Sequence, residues 1–147
     1  MERKDEMKKQ VQVKIIGIQK DAQGEENKIE LVTEGSFFKK NDKYYLVYEE
    51  SELSGMEGST TTLKIEGEDR VGIRRFGSAK AEMNFEKGKT HSTAYETPYG
   101  IMEMNITTHR IAVAIEEDIP RMSVKIQYRI KVMGSEDTMN TLDIYVS

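Results

Sequence analysis

The stretch RMSVKIQYRIKVM, residues 121–133, decides the fold. Met122, Val124, Ile126, Tyr128, Ile130 and Val132 take every second position, and Arg121, Ser123, Lys125, Gln127, Arg129 and Lys131 fill the places between. A period of two is the alternation of side chains along a β-strand. One apolar face against one charged face describes an antiparallel sheet with a core on a single side.

The same pattern extends toward both ends of the chain, cut by turn residues, with no helical periodicity. Strands are expected at Val11–Ile18, Lys28–Thr33, Lys43–Glu50, Ser59–Glu66, Arg70–Phe76, Ala79–Phe85, Thr90–Thr97 and Thr138–Val146. Gly35–Asp42 reads as a loop in which Phe37 and Phe38 cap one end of the core. Two phase breaks stand out. Val11, Val13 and Ile15 alternate, but Ile16 and Ile18 take the opposite phase around Gly17, which suggests a bulge or a strand covered on both faces. Met102, Met104 and Ile106 are apolar at even positions, whereas Ile111, Val113 and Ile115 are apolar at odd ones. Parity cannot flip inside a regular strand, so 107–110 must hold a bulge, a corner or a tight turn. Closely spaced turns with hairpin-length loops imply up-and-down connectivity. The fold expected is all-β: one antiparallel closed barrel of about eight to ten strands. Residues 1–10 are read as a flexible charged tail and 11–147 as the single barrel domain.

With 37% hydrophobic and 33% charged residues in 147, the chain suits a one-layer closed sheet with a thin core and a heavily charged outer face. A net charge of −4 argues against nucleic acid or an anionic membrane as a partner. There is no cysteine, which removes disulfides, thiolate metal sites and cysteine nucleophiles. The charged start MERKDEMKKQ is unlike a secretory signal, and no run approaches the roughly 20 apolar residues of a membrane helix, so a cytosolic location is expected.

The run KYYLVYEESELSGMEGSTTTLKIEGEDRVGIRRFG, then Met83-Asn84-Phe85, YETPYGIMEMNITT and VKIQYRIKVMG, is similar to the YwiB-like family of small bacterial proteins. The resemblance covers nearly everything from Val11 onward. It implies a lipocalin-like (calycin) barrel, and it implies no function, because the family is uncharacterised. Two marks of better-understood calycins are missing. Without tryptophan there is no Gly-any-Trp motif, and Tyr128 and Arg129 are adjacent, so they point to opposite faces where fatty-acid-binding proteins use an inward Arg-any-Tyr pair.

Among single residues, Arg75 is the most suggestive. It shares a strand face with Val71 and Ile73, so if those point inward the guanidinium does too, and a buried guanidinium needs an acidic partner or an anionic ligand. The functional reading is a carboxylate clamp. The bland one is a snorkelling Arg75, or one paired with an internal acid such as Glu49 or Glu96. His91, Thr93 and Tyr95 fall on one face of their strand and, with Tyr48 of the tyrosine set Tyr44, Tyr45, Tyr48, Tyr95 and Tyr99, complete the candidate ligand-binding residues. The alternative for that strand is a solvated polar face with Ala94 inward. Thr60-Thr61-Thr62 reads as lining a cavity or, more often, facing water. Glu49-Glu50 and Glu116-Glu117-Asp118 read as solvated strand ends, because adjacent strand residues diverge. His109 is expected to sit in a corner with no special role. No metal site, cofactor or catalytic residue is expected: the two histidines are not joined by clustered carboxylates, and no nucleophile or phosphate-loop motif occurs.

Two functions remain open. One is a non-catalytic binder of a small, partly apolar ligand inside the barrel, its carboxylate held by Arg75. The other is a packed barrel serving as a protein-interaction or regulatory module, dimeric or bound to a protein partner. A cavity of about 300 Å³ or more would favour the first, and a filled interior the second.

Overall fold

The computed structural model describes residues 8–51, 57–78, 80–97, 100–116, 120–132 and 137–147, with the side chains of 95–97 outside that description. Ten strands follow in chain order: β1 (Lys9–Lys20), β2 (Glu26–Lys40), β3 (Lys43–Glu49), β4 (Ser59–Glu66), β5 (Arg70–Gly77), β6 (Ala81–Glu86), β7 (Thr90–Thr97), β8 (Gly100–Glu116), β9 (Arg121–Val132) and β10 (Thr138–Val146). They form one antiparallel sheet in the order β6-β5-β4-β3-β2-β1-β10-β9-β8-β7. Chain neighbours pair in every case except β6 and β7, and the first and last strands meet, with Val13 opposite Val146 and Lys20 opposite Met139. The two sheet edges, β6 and β7, are consecutive in the chain. Thr93 Oγ1 donates to the Glu82 carbonyl across them at 2.7 Å, and the intervening turn bonds to β8 through Gly88 N–H to Thr108 O and Thr108 N–H to Lys89 O. The result is an all-β, nearly closed barrel, as the alternation implied.

Inward positions follow the predicted parity. Met122, Val124, Ile126 and Tyr128 of β9 are buried, as are Val11, Val13 and Ile15 of β1 and Ile144 and Val146 of β10. Tyr128 points inward and its neighbour Arg129 outward, where it approaches Asp137 at 3.9 Å. Across the lumen the Phe85 and Tyr128 rings meet edge to face at 4.7 Å, tying β6 to β9.

Several boundaries differ from the reading of the sequence. β1 starts at Lys9, opposite Phe37, so two residues assigned to the tail belong to the sheet; 1–7 lie outside the described residues. The expected 35–42 loop is strand up to Lys40, and the turn is only Asn41-Asp42, both at positive φ. Gly35 is there for close approach: a Cβ on it would lie 2.7 Å from the Val47 carbonyl oxygen. Phe37 is buried opposite Leu46, and Phe38 stacks on Tyr45 on the other face. At Gly17 the ladders to β2 and β10 run on without a bulge, and Ile16 and Ile18 lie half-buried on the outer wall. The second phase break is a bulge between Thr108 and Arg110, inside a β8 that continues through it. His109, within it, is exposed.

Two expectations test this core. Phe85→Ala should lower the unfolding free energy in urea by about 3–5 kcal/mol. Burial pushes the Tyr128 hydroxyl up to about 12. The fold therefore selects the neutral phenol, and this stabilisation is complete below about pH 10 and is lost as pH rises through the folded-state value. Unfolding free energy should fall by about 2 kcal/mol more in wild type than in Tyr128→Phe between about pH 9.5 and 11.5.

Candidate functional site

Five cross-strand neighbours make one inward row around the wall: Gly35 on β2, Tyr48 on β3, Thr61 on β4, Arg75 on β5 and Ala81 on β6. Small residues flank large ones, and this leaves room for the Tyr48 ring and the Arg75 guanidinium within the wall's inner layer. Just past the end of β3, Glu50 keeps the parity of Leu46 and Tyr48 and also turns inward, its side chain 2% exposed.

These groups form a compact polar cluster. Thr61 Oγ1 donates to Glu50 Oε2 at 2.5 Å and accepts from Arg75 Nε at 3.1 Å. Arg75 Nη2 stands 3.5 Å from the same carboxylate oxygen, with the Arg75 side chain 12% exposed. Tyr48 completes the cluster. Burial pushes its hydroxyl well above the ordinary tyrosine range, the Glu50 charge pushes it further, and the Arg75 charge opposes. Thr61, Glu50 and Arg75 thus answer one another's charge or hydrogen-bonding capacity inside the cluster.

Arg75 is inward, as its phase suggested, and among the described residues its acidic partner is Glu50. Glu49 is exposed on the opposite face of β3, and the side chain of Glu96 is not among those described. Thr61, read as most often water-facing, is 1% exposed, whereas Thr60 and Thr62 are half-buried on the outer wall. Glu50, read as part of a solvated strand end, is buried. KYYLVY is apolar on both faces, so the parity that places Glu50 could be chosen only from the β2–β3–β4 register.

The other candidates do not join this cluster. His91 and Thr93 lie on the inward phase of β7, opposite Ile106 and Met104, and Ala94 is exposed. His91 Nε2 is 3.6 Å from Glu86 Oε1 and has no hydrogen-bond partner among the described residues. The Thr93 hydroxyl serves the β6–β7 seam. Tyr95 pairs with Met102 in the ladder, and its side chain lies outside those described, as does Tyr99. Tyr44 and Tyr45 pack on Phe37 and Phe38 on opposite faces of β3, so these two tyrosines share no binding face. Among the described residues no group of acids and histidines could hold a metal ion, and no helix is long and apolar enough to cross a membrane.

Concave sites among the described residues include ones of about 350, 310, 480 and 620 Å³, and none of these is lined by any of the twelve fully buried large core side chains. The 310 Å³ site touches the polar cluster. It lies where β5 ends and β6 begins, lined by Arg74, Arg75, Phe76, Lys80, Ala81, Glu82, Ala94 and Ile101.

Fold and site together define a small β-barrel with a buried apolar core and an internal arginine–glutamate pair. Residues 13–144 match the domain of unknown function DUF1934, and the chain belongs to that family. It is 28% identical over 122 residues to the uncharacterized β-barrel protein YwiB of Bacillus subtilis (strain 168), covering 82% of each chain. The crystal structure of the Bacillus subtilis ywiB protein superposes with a TM-score of 0.84 at 22% identity, over 97% of this chain and 94% of that one. The fold and the YwiB-like membership are thereby shared, and no activity comes with them.

Removing one member of the buried pair leaves the other charge unanswered. Arg75→Met should cost about 3 kcal/mol of unfolding free energy, and the double variant Arg75→Met/Glu50→Met should recover most of that loss in urea titrations.

Proposed function

We propose that this chain is a non-catalytic protein-interaction module, a packed barrel that works through its outer wall and strand edges. The observation that carries the reading is the filled interior: Phe85, Leu46, Leu63, Ile65, Ile106 and Met122 are among the side chains that occupy the lumen. The polar cluster supports it as well. Arg75 already has a carboxylate partner in Glu50, so a ligand carboxylate would have to displace a buried, hydrogen-bonded one. The ten-strand meander supports placing the barrel near the calycins, and the cysteine-free composition fits a cytosolic module.

A second reading has one observation in its favour. The 310 Å³ site at the rim combines Arg74, Arg75 and Lys80 with Phe76 and Ile101, which are 58% and 72% exposed. That chemistry suits an anionic, partly apolar small molecule held at the mouth of the barrel, with Tyr48 behind Arg75 as support. Native mass spectrometry of protein purified from its own host separates the two. The interaction module predicts polypeptide masses alone, as a homo-oligomer or a protein complex. A small molecule retained by wild type and lost in Lys80→Glu would overturn it in favour of the rim site.

A further inference from the structure

β8 is longer than the strand beside it. β7 covers its first half only, from Gly100 opposite Thr97 to Thr107 opposite Thr90. The β6–β7 turn then bonds Thr108, and the bulge between Thr108 and Arg110 follows. Beyond the bulge, residues 110–116 pair with β9 on one side, and among the described residues they have no ladder partner on the other. Such an edge presents a row of unpaired N–H and C=O groups, which proteins usually protect with charges or proline along its length. Here the five central residues are Ile-Ala-Val-Ala-Ile.

The sequence of this edge is complementary to itself when reversed. In an antiparallel pairing of two copies centred on Val113, Val113 faces Val113, Ala112 faces Ala114, Ile111 faces Ile115 and Arg110 faces Glu116. Parity agrees with that match. Arg110, Ala112, Ala114 and Glu116 are exposed on the outer wall, while Ile111, Val113 and Ile115 are half-buried on the inner phase. Opposite charges directly across an antiparallel pair stabilise it, and two-fold symmetry makes the Arg110–Glu116 contact twice. Neither residue is engaged in an ion pair among the described residues. The free edge of β2 is a weaker candidate, because its Glu30 already sits 3.3 Å from Lys14 and 3.9 Å from Lys28.

We infer that a second copy of this chain docks on residues 110–116 of β8, joining two barrels into a two-fold dimer through one continuous sheet. The inference rests on the interaction-module reading and names the partner and the surface. Its test is charge exchange at two exposed positions that leave the core untouched. Sedimentation velocity across about 1 μM to 1 mM should show wild type going from monomer to dimer. Arg110→Glu and Glu116→Arg should each weaken association about tenfold or more, since each places like charges across the pair twice. An equimolar mixture of the two variants should associate again, because the heterodimer restores opposite charges at both contacts. Amide exchange at 111–115 should slow with concentration in wild type and in the mixture, and not in either variant alone. A wild type monomeric throughout, or single variants that dimerise like wild type, would overturn the β8 dimer. Retention of a small molecule in native spectra would instead strike at the module reading.

Discussion

A ten-stranded sheet that is apolar on one face has to curl until that face is covered, and the structure follows from that requirement. No helix is available among the described residues to cover it, so the sheet covers itself. The curl brings β1 against β10 and leaves β6 beside β7. At that last junction the ladder gives way to other bonds: the Thr93 hydroxyl reaches the Glu82 carbonyl, and the turn after β6 bonds to Thr108. The edge-to-face contact of Phe85 with Tyr128 works from inside, because it links the final strand of one half to the middle of the other. Closure by packing as well as by hydrogen bonds explains how a barrel can be nearly closed without a complete ladder.

The polar cluster is a consequence of the same geometry. Once β5 is placed with Val71 and Ile73 inward, Arg75 has no outward choice, and its charge must be met within the wall. Glu50 meets it because β3 and β4 run past each other in the register that sets Tyr48 opposite Thr61. Thr61 is suited to its place: a small β-branched hydroxyl fits a strand and both donates and accepts. The pair is a feature of the wall's construction. It also limits what Arg75 can offer to a ligand, since a guanidinium already bound to a buried carboxylate is not free to clamp another.

Strands of unequal length leave free edges, and here the bulge in β8 determines where one falls. It restores the inward phase for Ile111, Val113 and Ile115 and also carries the strand past its β7 partner. A feature that reads in the sequence as a parity problem is therefore, in three dimensions, the start of a self-complementary edge with no ladder partner among the described residues. The long β2 produces a comparable overhang. There, however, its charged side chains already make ion pairs with their neighbours.

Much of this was legible beforehand, for a local reason. Alternation in β9, the turn residues and the parity break at 107–110 concern near neighbours in the chain, and they sufficed for an all-β meander barrel with Arg75 pointing in. What misled was equally local. Phe37-Phe38 after Gly35 looked like a loop because that glycine's purpose is the approach of the Val47 carbonyl from another strand. Glu50 and Thr61 looked solvated because their burial depends on the registers of β3 with β4 and of β4 with β5, which no single strand encodes. The chain by itself determined which faces are apolar and where the phase must break, since a strand's period is a property of its own residues. The tertiary structure alone decided which acid meets Arg75, which side chains occupy the lumen, and which strand edge lacks a partner among the described residues, because each depends on how far one strand slides along the next.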